Sequence, residues 1–349
     1  MTGGAGFIGS AYVRNLLLRR DGTRITVLDK LTVTGNRANL DPIVEDPALA
    51  ERFRFVHGDV ADPGVVGELV AMADAVINFA AESHVDRSII EAEAFLRTGV
   101  IGVHVLLEAI RREAIRAAAG ERARAPRLVQ VSTDEVYGSV AGGRSTESDP
   151  LAPRSPYAAA KAAGDLLAHS YAVTHGTDIV VSRGSNTYGP FQHPEKLIPL
   201  FVTNAIDDRP LPLYGDGLQE RDWLHVDDHA AAVDHILRHG SAGEVYNVVG
   251  DAHLTNREVA RRLLDELGKP WSLVRTVEDR PGHDRRYAMD GARLAALGWR
   301  PGVSFRAGLA ATIGWYRANE AWWRAARSGA WEAWYERQYA TRLAGSRKA

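Results

Sequence analysis

The residues that could carry chemistry stand close together in the middle of the chain. Thr133, Asp134 and Glu135 place a hydroxyl and two carboxyl groups side by side. Adjacent carboxyl groups can serve as acid and base when their surroundings separate their pKa values. Tyr157 and Lys161 follow with i, i+4 spacing, which puts both side chains on one face of a helix. Because a nearby ammonium lowers the pKa of a phenol, we expect Tyr157 to remove a proton from a carbinol while a hydride leaves.

Each of these patterns also has a purely structural interpretation. Tyr-x-x-x-Lys alone is more often a surface pair, and Thr-Asp-Glu alone is an ordinary start of a helix or turn. The catalytic hypothesis depends on the order of the motifs and on the strand before them. Residues 127–132 form a short apolar run rich in β-branched residues, which predicts a buried strand. Ligands of parallel α/β sheets lie where such strands end.

The glycine-rich start of the chain predicts a dinucleotide site. Gly3, Gly6 and Gly9 have the spacing of a tight turn that lets backbone amides approach a pyrophosphate at a helix N-terminus. A helix is predicted next, and residues 24–29 then form a strand that ends in Asp29. Asp29 follows the last glycine by about 20 residues, the usual place of a carboxylate that binds ribose hydroxyls. Because a carboxylate repels a 2′-phosphate, NAD is favoured over NADP.

The strand that should precede this turn is almost absent. In dinucleotide-binding units the glycine turn follows a strand, yet only Met1 and Thr2 precede Gly3. Two explanations stay open, namely a misassigned start and a truncated strand. In both cases we expect the central strand to be missing or reduced to a stub.

The rest of the chain indicates one sheet and a second lobe. Further strands are predicted at 53–60, 73–81, 127–132 and 177–183, and long helices at 89–116 and 157–175. This alternation without repeats predicts an α/β fold with a Rossmann-type, doubly wound parallel sheet. We assign residues 1–183 to the dinucleotide-binding domain, with 224–250 returning to it. Residues 184–223 and 251–349 form a smaller C-terminal lobe.

Three turn-rich loops of the second lobe carry Lys196, Arg221 and Arg280. Each cation alone is typical of a solvated surface, but together they could converge on a diphosphate. No sheet is expected in this lobe. The tail holds five tryptophans, for which packing of helices onto the body is favoured over stacking on a sugar. They are Trp315, Trp322, Trp323, Trp331 and Trp334.

Composition excludes several other classes of protein. The 349 residues carry a formal net charge of −2, so no broad attraction to nucleic acid or anionic membrane is expected. The chain has no cysteine, which excludes disulfides, thiolate nucleophiles and Cys-ligated zinc and fits a reducing cytoplasm. No apolar run of about 18 residues is present, so no membrane span is expected. The histidines are scattered, and no metal site is expected.

Taken together, these motifs identify a family resemblance. The chain resembles the extended short-chain dehydrogenase/reductases and, within them, the dTDP-glucose 4,6-dehydratases, over nearly its whole length. The glycine turn and Tyr-x-x-x-Lys are shared by the superfamily. More specific are Ala-Ala-Glu-Ser-His-Val-Asp-Arg-Ser (80–88), Ser-Thr-Asp-Glu-Val-Tyr-Gly (132–138) and the loops at 188–199, 221–229 and 279–287.

The resemblance implies a reaction. NAD would oxidise C4 of the glucose unit of dTDP-glucose, with Tyr157 as base, Lys161 tuning it and Thr133 holding the hydroxyl. The new ketone acidifies the proton on C5. Glu135 would take that proton while Asp134 protonates the departing C6 hydroxyl. The hydride would then return to C6. The implied assembly is a homodimer, in which the two predicted long helices of each subunit form a four-helix bundle.

The motifs and the resemblance together predict two sets of binding residues. The cofactor set is Gly3, Gly6, Phe7, Ile8, Gly9, Asp29, Lys30, Leu31, Thr32, Asp59, Val60, Phe79, Ala80, Ala81, Ser83, Thr98, Tyr157, Lys161 and Thr187. The nucleotide-sugar set is Ser83, Thr133, Asn186, Lys196, Leu197, Pro212, Tyr214, Arg221, Asn256, Arg280, His283 and Tyr287.

Two alternatives and two departures accompany this hypothesis. A nucleotide-sugar 4-epimerase shares Tyr-x-x-x-Lys but does not need an Asp-Glu pair. A non-catalytic NAD-binding relative is opposed by the intact catalytic set. Gly99 stands where the family usually has Asn, and glycine is unfavourable inside a helix. Thr187 also replaces an Asn, which removes an amide near the cofactor.

Overall fold

The computed structural model describes residues 1–19, 22–345 and 347–348. Within these ranges, no helix is long and apolar enough to cross a membrane. The helices are α1 (Phe7–Leu18), α2 (Asp41–Val44), α3 (Pro47–Ala50), α4 (Pro63–Ala71), α5 (Val85–Ile90), α6 (Glu93–Leu96), α7 (Val103–Ala118), α8 (Pro156–His175), α9 (Leu197–Ile206), α10 (Val226–His239), α11 (Asn256–Leu267), α12 (Ala292–Ala296), α13 (Phe305–Ala318), α14 (Glu320–Ala326) and α15 (Ala330–Ala344). The strands are β1 (Ile25–Asp29), β2 (Phe53–His57), β3 (Ala75–Asn78), β4 (Arg127–Thr133), β5 (Ile179–Gly184), β6 (Asn186–Tyr188), β7 (Leu211–Tyr214), β8 (Glu220–His225), β9 (Val245–Val248), β10 (Ala252–Thr255), β11 (Val274–Val277) and β12 (Arg347–Lys348).

The main sheet is parallel and is interrupted near its centre. Strands β3, β4, β5 and β9 lie side by side in that order, and β1 pairs with β2 alone. β4 and β5 are almost fully buried, because helices cover the sheet on both faces. The predicted doubly wound α/β fold is confirmed. The chain returns to this sheet as α10 and β9.

Thr2 is the residue that joins the two parts of the sheet. It bridges Leu28 of β1 and Asn78 of β3, both in parallel. The α-ammonium of Met1 donates to the carbonyl oxygen of Thr26 at 2.7 Å. Burial lowers the pKa of that ammonium to about 6. The first strand is therefore present only as a stub, as expected from the sequence.

A cavity of about 1370 Å³ occupies the rest of that strand's place. We call it the central slot. Its walls are the facing edges of β1 and β3 and apolar side chains of α1, α4 and α7, among them Leu16, Val66 and Leu106. The edges of β1 and β3 thus face each other across a gap that is one strand wide, and helices cover this gap on both faces of the sheet.

The single long helix predicted over 89–116 is wrong. The chain forms α5 and α6, then a π-helical turn at Arg97–Gly102, and then α7. Gly99 is buried in this turn, and a Cβ added there would lie 3.2 Å from the Cβ of Ala160 in α8. A Cβ on Gly164 would lie 2.9 Å from the carbonyl oxygen of Gly99. The glycines therefore permit close packing of this turn against α8, which helix propensity alone does not predict.

The second lobe contains two small sheets, so the expectation that it has none is wrong. Their strand orders are β10-β8-β6 and β12-β11-β7. Strands of two to six residues within turn-rich sequence give too short an alternation to be recognised. The predicted packing of the tryptophan tail is confirmed. Trp323, Trp331 and Trp334 are buried in the core of this lobe, and Trp315 and Trp322 pack against it.

Candidate active site

The acid pair stands where β4 ends. Thr133 is the last residue of this buried strand and caps one turn of 3-10 helix, Asp134–Tyr137. The Thr133 hydroxyl accepts from the backbone N–H of Glu135 at 3.3 Å and donates to the Asp134 carboxylate at 3.1 Å. The order of a strand and a short helical turn therefore fixes all three groups at the carboxyl end of the sheet.

The two carboxyl groups have different protonation behaviour. Burial and the charge of Glu135 raise the pKa of Asp134 to about 8. Burial also raises the pKa of Glu135, but the cations Arg280, Lys196 and Arg221 oppose that rise. Near neutral pH Asp134 is therefore protonated, whereas the cations favour a carboxylate at Glu135. These surroundings suit Asp134 to the role of acid and Glu135 to that of base.

Helix α8 carries Tyr157 and Lys161 on one face. Its N-terminus is capped by Ser155, whose hydroxyl accepts from the backbone N–H of Ala158 at 3.1 Å. Pro156 occupies the first helical position, where its missing N–H costs nothing. One turn beyond Lys161, the buried Asp165 accepts from Arg183 at 2.9 Å. The start of the helix is thus well defined directly before the predicted base.

The expected lowering of the Tyr157 pKa is wrong for this structure. Burial and the neighbouring carboxylates, first Glu135, raise the pKa of Tyr157, and a hydrogen bond with Thr133 opposes them. The Lys161 ammonium donates instead to the carbonyl oxygen of Val131. Burial lowers the pKa of Lys161 to about 8, so its ammonium loses its proton more readily than that of a free lysine. Desolvation, which sequence spacing does not reveal, therefore outweighs the expected ion–phenol effect.

A cavity at the carboxyl ends of β1 and β3 contains the glycine turn. Gly3 has a φ of +67°, and a Cβ there would lie 2.6 Å from the backbone nitrogen of Ala80. Only glycine fits this position. The Asp29 carboxylate accepts from the backbone N–H groups of Ala5 at 2.9 Å and Leu31 at 2.8 Å. Asp29 thereby ties the turn to the end of β1.

Two of the predicted cations of the second lobe are held by carbonyl oxygens. Lys196, which precedes α9, donates to the carbonyl oxygen of Ser83. Arg221 of β8 donates to the carbonyl oxygen of Asp284 at 2.8 Å, and its guanidinium lies 4.2 Å from the centre of the Tyr287 ring. Both are buried or nearly so, and both act on the pKa of Glu135. Neither is a solvated surface charge.

Arg280 completes this group of cations. Its Nη1 donates to Asp86 at 3.1 Å, and Asp86 also accepts from the Tyr214 hydroxyl at 3.1 Å. Among the cations that favour the ionised form of Glu135, Arg280 has the largest effect on its pKa. The structure therefore brings the three loops together beside the end of β4.

A family model described as GDP-mannose 4,6 dehydratase matches residues 1–312. The dTDP-glucose 4,6-dehydratase of Streptomyces antibioticus is 52% identical over 329 residues, which are 93% of each protein. The chain belongs to this family. The resemblance inferred from the motifs is confirmed.

Solved structures of related proteins agree with this family assignment. The dTDP-glucose 4,6-dehydratase DesIV of Streptomyces venezuelae, with NAD and TYD bound, is 52% identical and superposes with a TM-score of 0.86 over 93% of this chain and 98% of that chain. A UDP-glucose 4-epimerase of Thermus thermophilus, in complex with NAD, is 33% identical with a TM-score of 0.79 over 91% and 98%.

In this family member, much of the predicted cofactor set lines one cavity. These residues are Gly3, Gly6, Asp29, Lys30, Thr32, Val60, Phe79, Ala80, Ala81 and Thr98. Lys30 joins two walls of the cavity, since its Nζ donates to the Thr98 hydroxyl at 3.0 Å and lies 3.2 Å from the Glu82 carboxylate.

Other members of that set are not part of this lining. Phe7, Ile8 and Gly9 begin α1 directly after the glycine turn. Leu31 has a positive φ of 55° after β1. Asp59 lies 3.3 Å from the Arg97 guanidinium. The Thr187 hydroxyl is hydrogen-bonded to Nδ1 of His229 at 2.8 Å.

The predicted nucleotide-sugar residues fall on several elements of the second lobe. Asn186 begins β6, and its buried side-chain oxygen has no partner among the described residues. Leu197 begins α9, Pro212 and Tyr214 lie in β7, and Asn256 begins α11. His283 is hydrogen-bonded to Asp279 at 2.6 Å. An unpaired buried acceptor such as Asn186 is the kind of group that a polar ligand satisfies.

The sequence prediction missed several lining residues of the cofactor cavity. They are Leu28, Thr34, Gly35, Gly58 and Glu82. Gly35 could have been found from the sequence, because a glycine after a strand often marks a close approach of the backbone to another group. In the structure a Cβ at Gly35 would lie 3.1 Å from the Asp29 carboxylate. Asp86 was also missed, although it lies within a motif that carries the resemblance.

Proposed function

We propose that this protein is a dTDP-glucose 4,6-dehydratase, which converts dTDP-glucose to dTDP-4-keto-6-deoxyglucose and water with NAD as a bound cofactor. The observation that carries the proposal is the contrast between Asp134 and Glu135. A dehydration needs an acid for the leaving hydroxyl and a base for the neighbouring C–H proton. A 4-epimerase needs no such pair, so the surroundings of these two residues favour the dehydratase.

The residues around the glycine turn fit NAD. The space beside Gly3, which a Cβ would fill, lets the backbone approach a pyrophosphate. The Asp29 carboxylate at the end of β1 suits a ribose diol and disfavours a 2′-phosphate. When bound there, NAD supplies a hydride acceptor for C4 and later a hydride donor for C6.

Tyr157 and Thr133 act on the C4 hydroxyl. We assign to Thr133 the positioning of this hydroxyl and to Tyr157 the removal of its proton. The hydrogen bond between the two side chains favours the phenolate form of Tyr157. Lys161 lies one turn further along the same helix and supplies positive charge on the same face.

Glu135 and Asp134 carry out the elimination. Glu135 removes the proton from C5, which the C4 ketone makes acidic, and would return it to C5 when C6 receives the hydride. Asp134 gives its proton to the C6 hydroxyl, which leaves as water. The raised pKa of Asp134, about 8, keeps that proton available near neutral pH. Lys196, Arg221 and Arg280 hold the diphosphate and at the same time favour the carboxylate form of Glu135.

The remaining predicted residues complete the nucleotide-sugar site. Asn186 offers its unpaired buried oxygen to a donor on the ligand. Tyr287 packs against Arg221, since the Arg221 guanidinium lies over the Tyr287 ring. Ser83, Leu197, Pro212, Tyr214, Asn256 and His283 are assigned to the same site by the resemblance of their motifs.

The identity of the product tests this proposal. The purified protein is incubated with dTDP-glucose, and the product is examined by mass spectrometry. Loss of one water is expected, whereas an epimerase would leave the mass unchanged and a non-catalytic relative would leave the substrate intact. UDP-glucose and GDP-mannose, tested in parallel, measure the preference for the nucleotide. Cofactor released on denaturation should be NAD or NADH, and NADP would contradict the assignment of Asp29.

We further propose that the protein acts as a homodimer in the cytoplasm. Helices α7 and α8 pack against each other and carry exposed apolar side chains, including Ile115, Leu166 and Val173. Two such pairs would bury these side chains in a four-helix bundle. The lack of cysteine is compatible with a reducing compartment.

The dimer is tested by a matched pair of charge substitutions. Leu166 is 61% exposed on α8, and Leu18 is 62% exposed at the end of α1. Leu166→Glu should shift the mass measured by light scattering from dimer to monomer, because a buried carboxylate at the interface is unpaired. Leu18→Glu should leave the mass unchanged. A monomeric parent protein, or an unchanged mass for Leu166→Glu, would contradict the proposed bundle.

A further inference from the structure

The Asp86 carboxylate is the centre of a hydrogen-bond network that links the C-terminal helix to Arg280. Asp86 is only 6% exposed. It accepts from Arg280 Nη1 at 3.1 Å, from the Tyr214 hydroxyl at 3.1 Å and from Gln338 Nε2 at 3.0 Å. A buried carboxylate with three donors is held in one orientation, and it holds each donor in turn.

Gln338 closes this network from α15. Besides its bond to Asp86, its Nε2 donates to the Tyr214 hydroxyl at 2.7 Å. The ring of Tyr339 stacks near that of Tyr214, with centroids 6.2 Å apart and an angle of 29° between the planes. The Arg342 guanidinium lies 5.2 Å from the centre of the Tyr214 ring. One face of α15 therefore fixes both Tyr214 and Asp86.

The contact between Asp86 and Arg280 uses only one nitrogen of the guanidinium, so other N–H groups remain to bind a ligand. An arginine carries five N–H donors in a planar fork, and the bond to Asp86 uses Nη1. A single buried, charge-assisted bond can fix the plane of that fork while other N–H groups remain for phosphate oxygens. Without Asp86, the long side chain of Arg280 would lose its rotamer freedom only when the ligand binds, and this entropy cost would weaken binding.

We propose that Asp86 and Gln338 are positioning residues for the diphosphate of the nucleotide sugar, acting through Arg280 and Tyr214. The inference rests on the proposed function, since it takes Arg280 as a diphosphate ligand. It assigns a role in ligand binding to α15, from which the sequence singled out only tryptophans, and those for packing. Neither residue is expected to take part in proton transfer.

Binding of dTDP and of thymidine, measured by calorimetry on the NAD-loaded enzyme, tests this proposal. Asp86→Asn keeps the shape but removes the charge that holds Arg280. It should weaken dTDP binding by about 10- to 100-fold, as expected for a hydrogen bond to a charged group. Gln338→Met removes both hydrogen bonds at nearly constant volume and should weaken dTDP binding by a smaller factor. Thymidine has no phosphate, so its affinity should stay as in the parent enzyme.

Glu336→Met is the matched control, because Glu336 is exposed on the opposite face of α15. It should bind dTDP like the parent. In steady-state assays Gln338→Met should raise KM for dTDP-glucose and leave kcat nearly unchanged, because no reacting atom is touched. Equal weakening of dTDP and thymidine, or parental dTDP affinity in both variants, would overturn the positioning role. Failure of the parent enzyme to bind dTDP would instead overturn the proposed function, and this inference with it.

Discussion

Asp134 and Glu135 are neighbours in the chain, and burial raises the pKa of both carboxyl groups, but at Glu135 three cations oppose that rise. Burial and Glu135 keep a proton on Asp134, with a pKa of about 8. At Glu135 three cations oppose the rise in pKa that burial causes, and Arg280 has the largest effect of the three. The end of one strand thus places side by side the two carboxyl groups to which the proposed elimination assigns the roles of proton donor and proton acceptor.

Substitutions should separate the oxidation from the elimination. Glu135→Gln keeps the shape and some hydrogen bonding but cannot accept a proton. We expect this variant to bind dTDP-glucose and form reduced nicotinamide, and then to stall before elimination. Tyr157→Phe should stop earlier, without reduced nicotinamide. Loss of a general base costs about 10²- to 10⁴-fold in rate, so the stalled state should be observable by single-turnover absorbance with product followed by rapid quench.

Two outcomes would contradict this division of roles. One is product formation by Glu135→Gln at the parental rate. The other is a Glu135→Gln variant that binds the sugar but forms no reduced nicotinamide. Either result would show that Glu135 is not the base that acts on C5.

The elimination should slow as the pH rises through about 8. The pKa of Asp134 is raised to about 8. In the proposed elimination Asp134 acts as an acid, so its active form is the protonated one, present below that pH and lost above it. Lys161 also has a pKa of about 8, so the oxidation must be followed separately. Single-turnover rates of each step between about pH 6 and pH 10 make this distinction. An elimination rate that keeps rising above pH 8 would contradict the role of Asp134 as acid.

Much of this site could be predicted because each of its motifs is a short run of neighbouring residues. The glycine turn, Asp29 and the Thr133 to Glu135 motif each lie at the end of a strand, and strand ends are recognisable from local patterns. The raised pKa of Tyr157 could not be predicted, since it depends on how deeply the fold buries the phenol. The bond between Asp86 and Gln338 joins residues 252 positions apart, and no local pattern indicates it.

Acid should destabilise the fold through buried histidines, of which His229 is the clearest case. Burial lowers the pKa of His229 from 6.5 to about 4. Its ring leaves no room for a side chain at Gly184, where a Cβ would lie 2.4 Å from it. The unfolded chain therefore binds a proton below about pH 6.5 that the folded chain excludes until about pH 4. Stability present at neutral pH is lost across this interval, by at most about 1.4 kcal/mol per pH unit for one proton.

His229→Gln tests this linkage. Glutamine cannot titrate and can still hydrogen-bond to Thr187. The free energy of unfolding, measured by urea denaturation at several pH values, should fall less steeply between pH 6.5 and pH 4 in the variant. His84 and His193 also have pKa values lowered to about 4, so part of the slope should remain. An identical slope in the parent and the variant would contradict the assignment.

The central slot should accept a strand joined to Met1. The Thr2 N–H donates to the Ile77 carbonyl oxygen at 3.0 Å, and the Leu28 N–H donates to the Met1 carbonyl oxygen at 2.9 Å, so a parallel ladder has already begun. Continued backwards in this register, two further residues would reach the first residues of β1 and β3. They would also replace a buried ammonium by a neutral peptide N–H, which removes a desolvation cost.

We therefore expect a chain extended before Met1 by a short valine- and isoleucine-rich segment to be more stable and to retain more NAD. Each apolar side chain buried in the slot contributes about 1.5–3 kcal/mol before the entropy of ordering it is subtracted. A net gain of about 1 kcal/mol should raise Tm by about 2 °C. The glycine turn begins directly after Thr2, so a firmer strand should also hold the cofactor cavity in shape. A glycine- and serine-rich extension of equal length is the control. It also removes the buried ammonium but buries no apolar side chains, so its gain in both quantities should be clearly smaller. Equal Tm and equal NAD content in both extended chains would show that the slot does not bury the apolar side chains of an added strand.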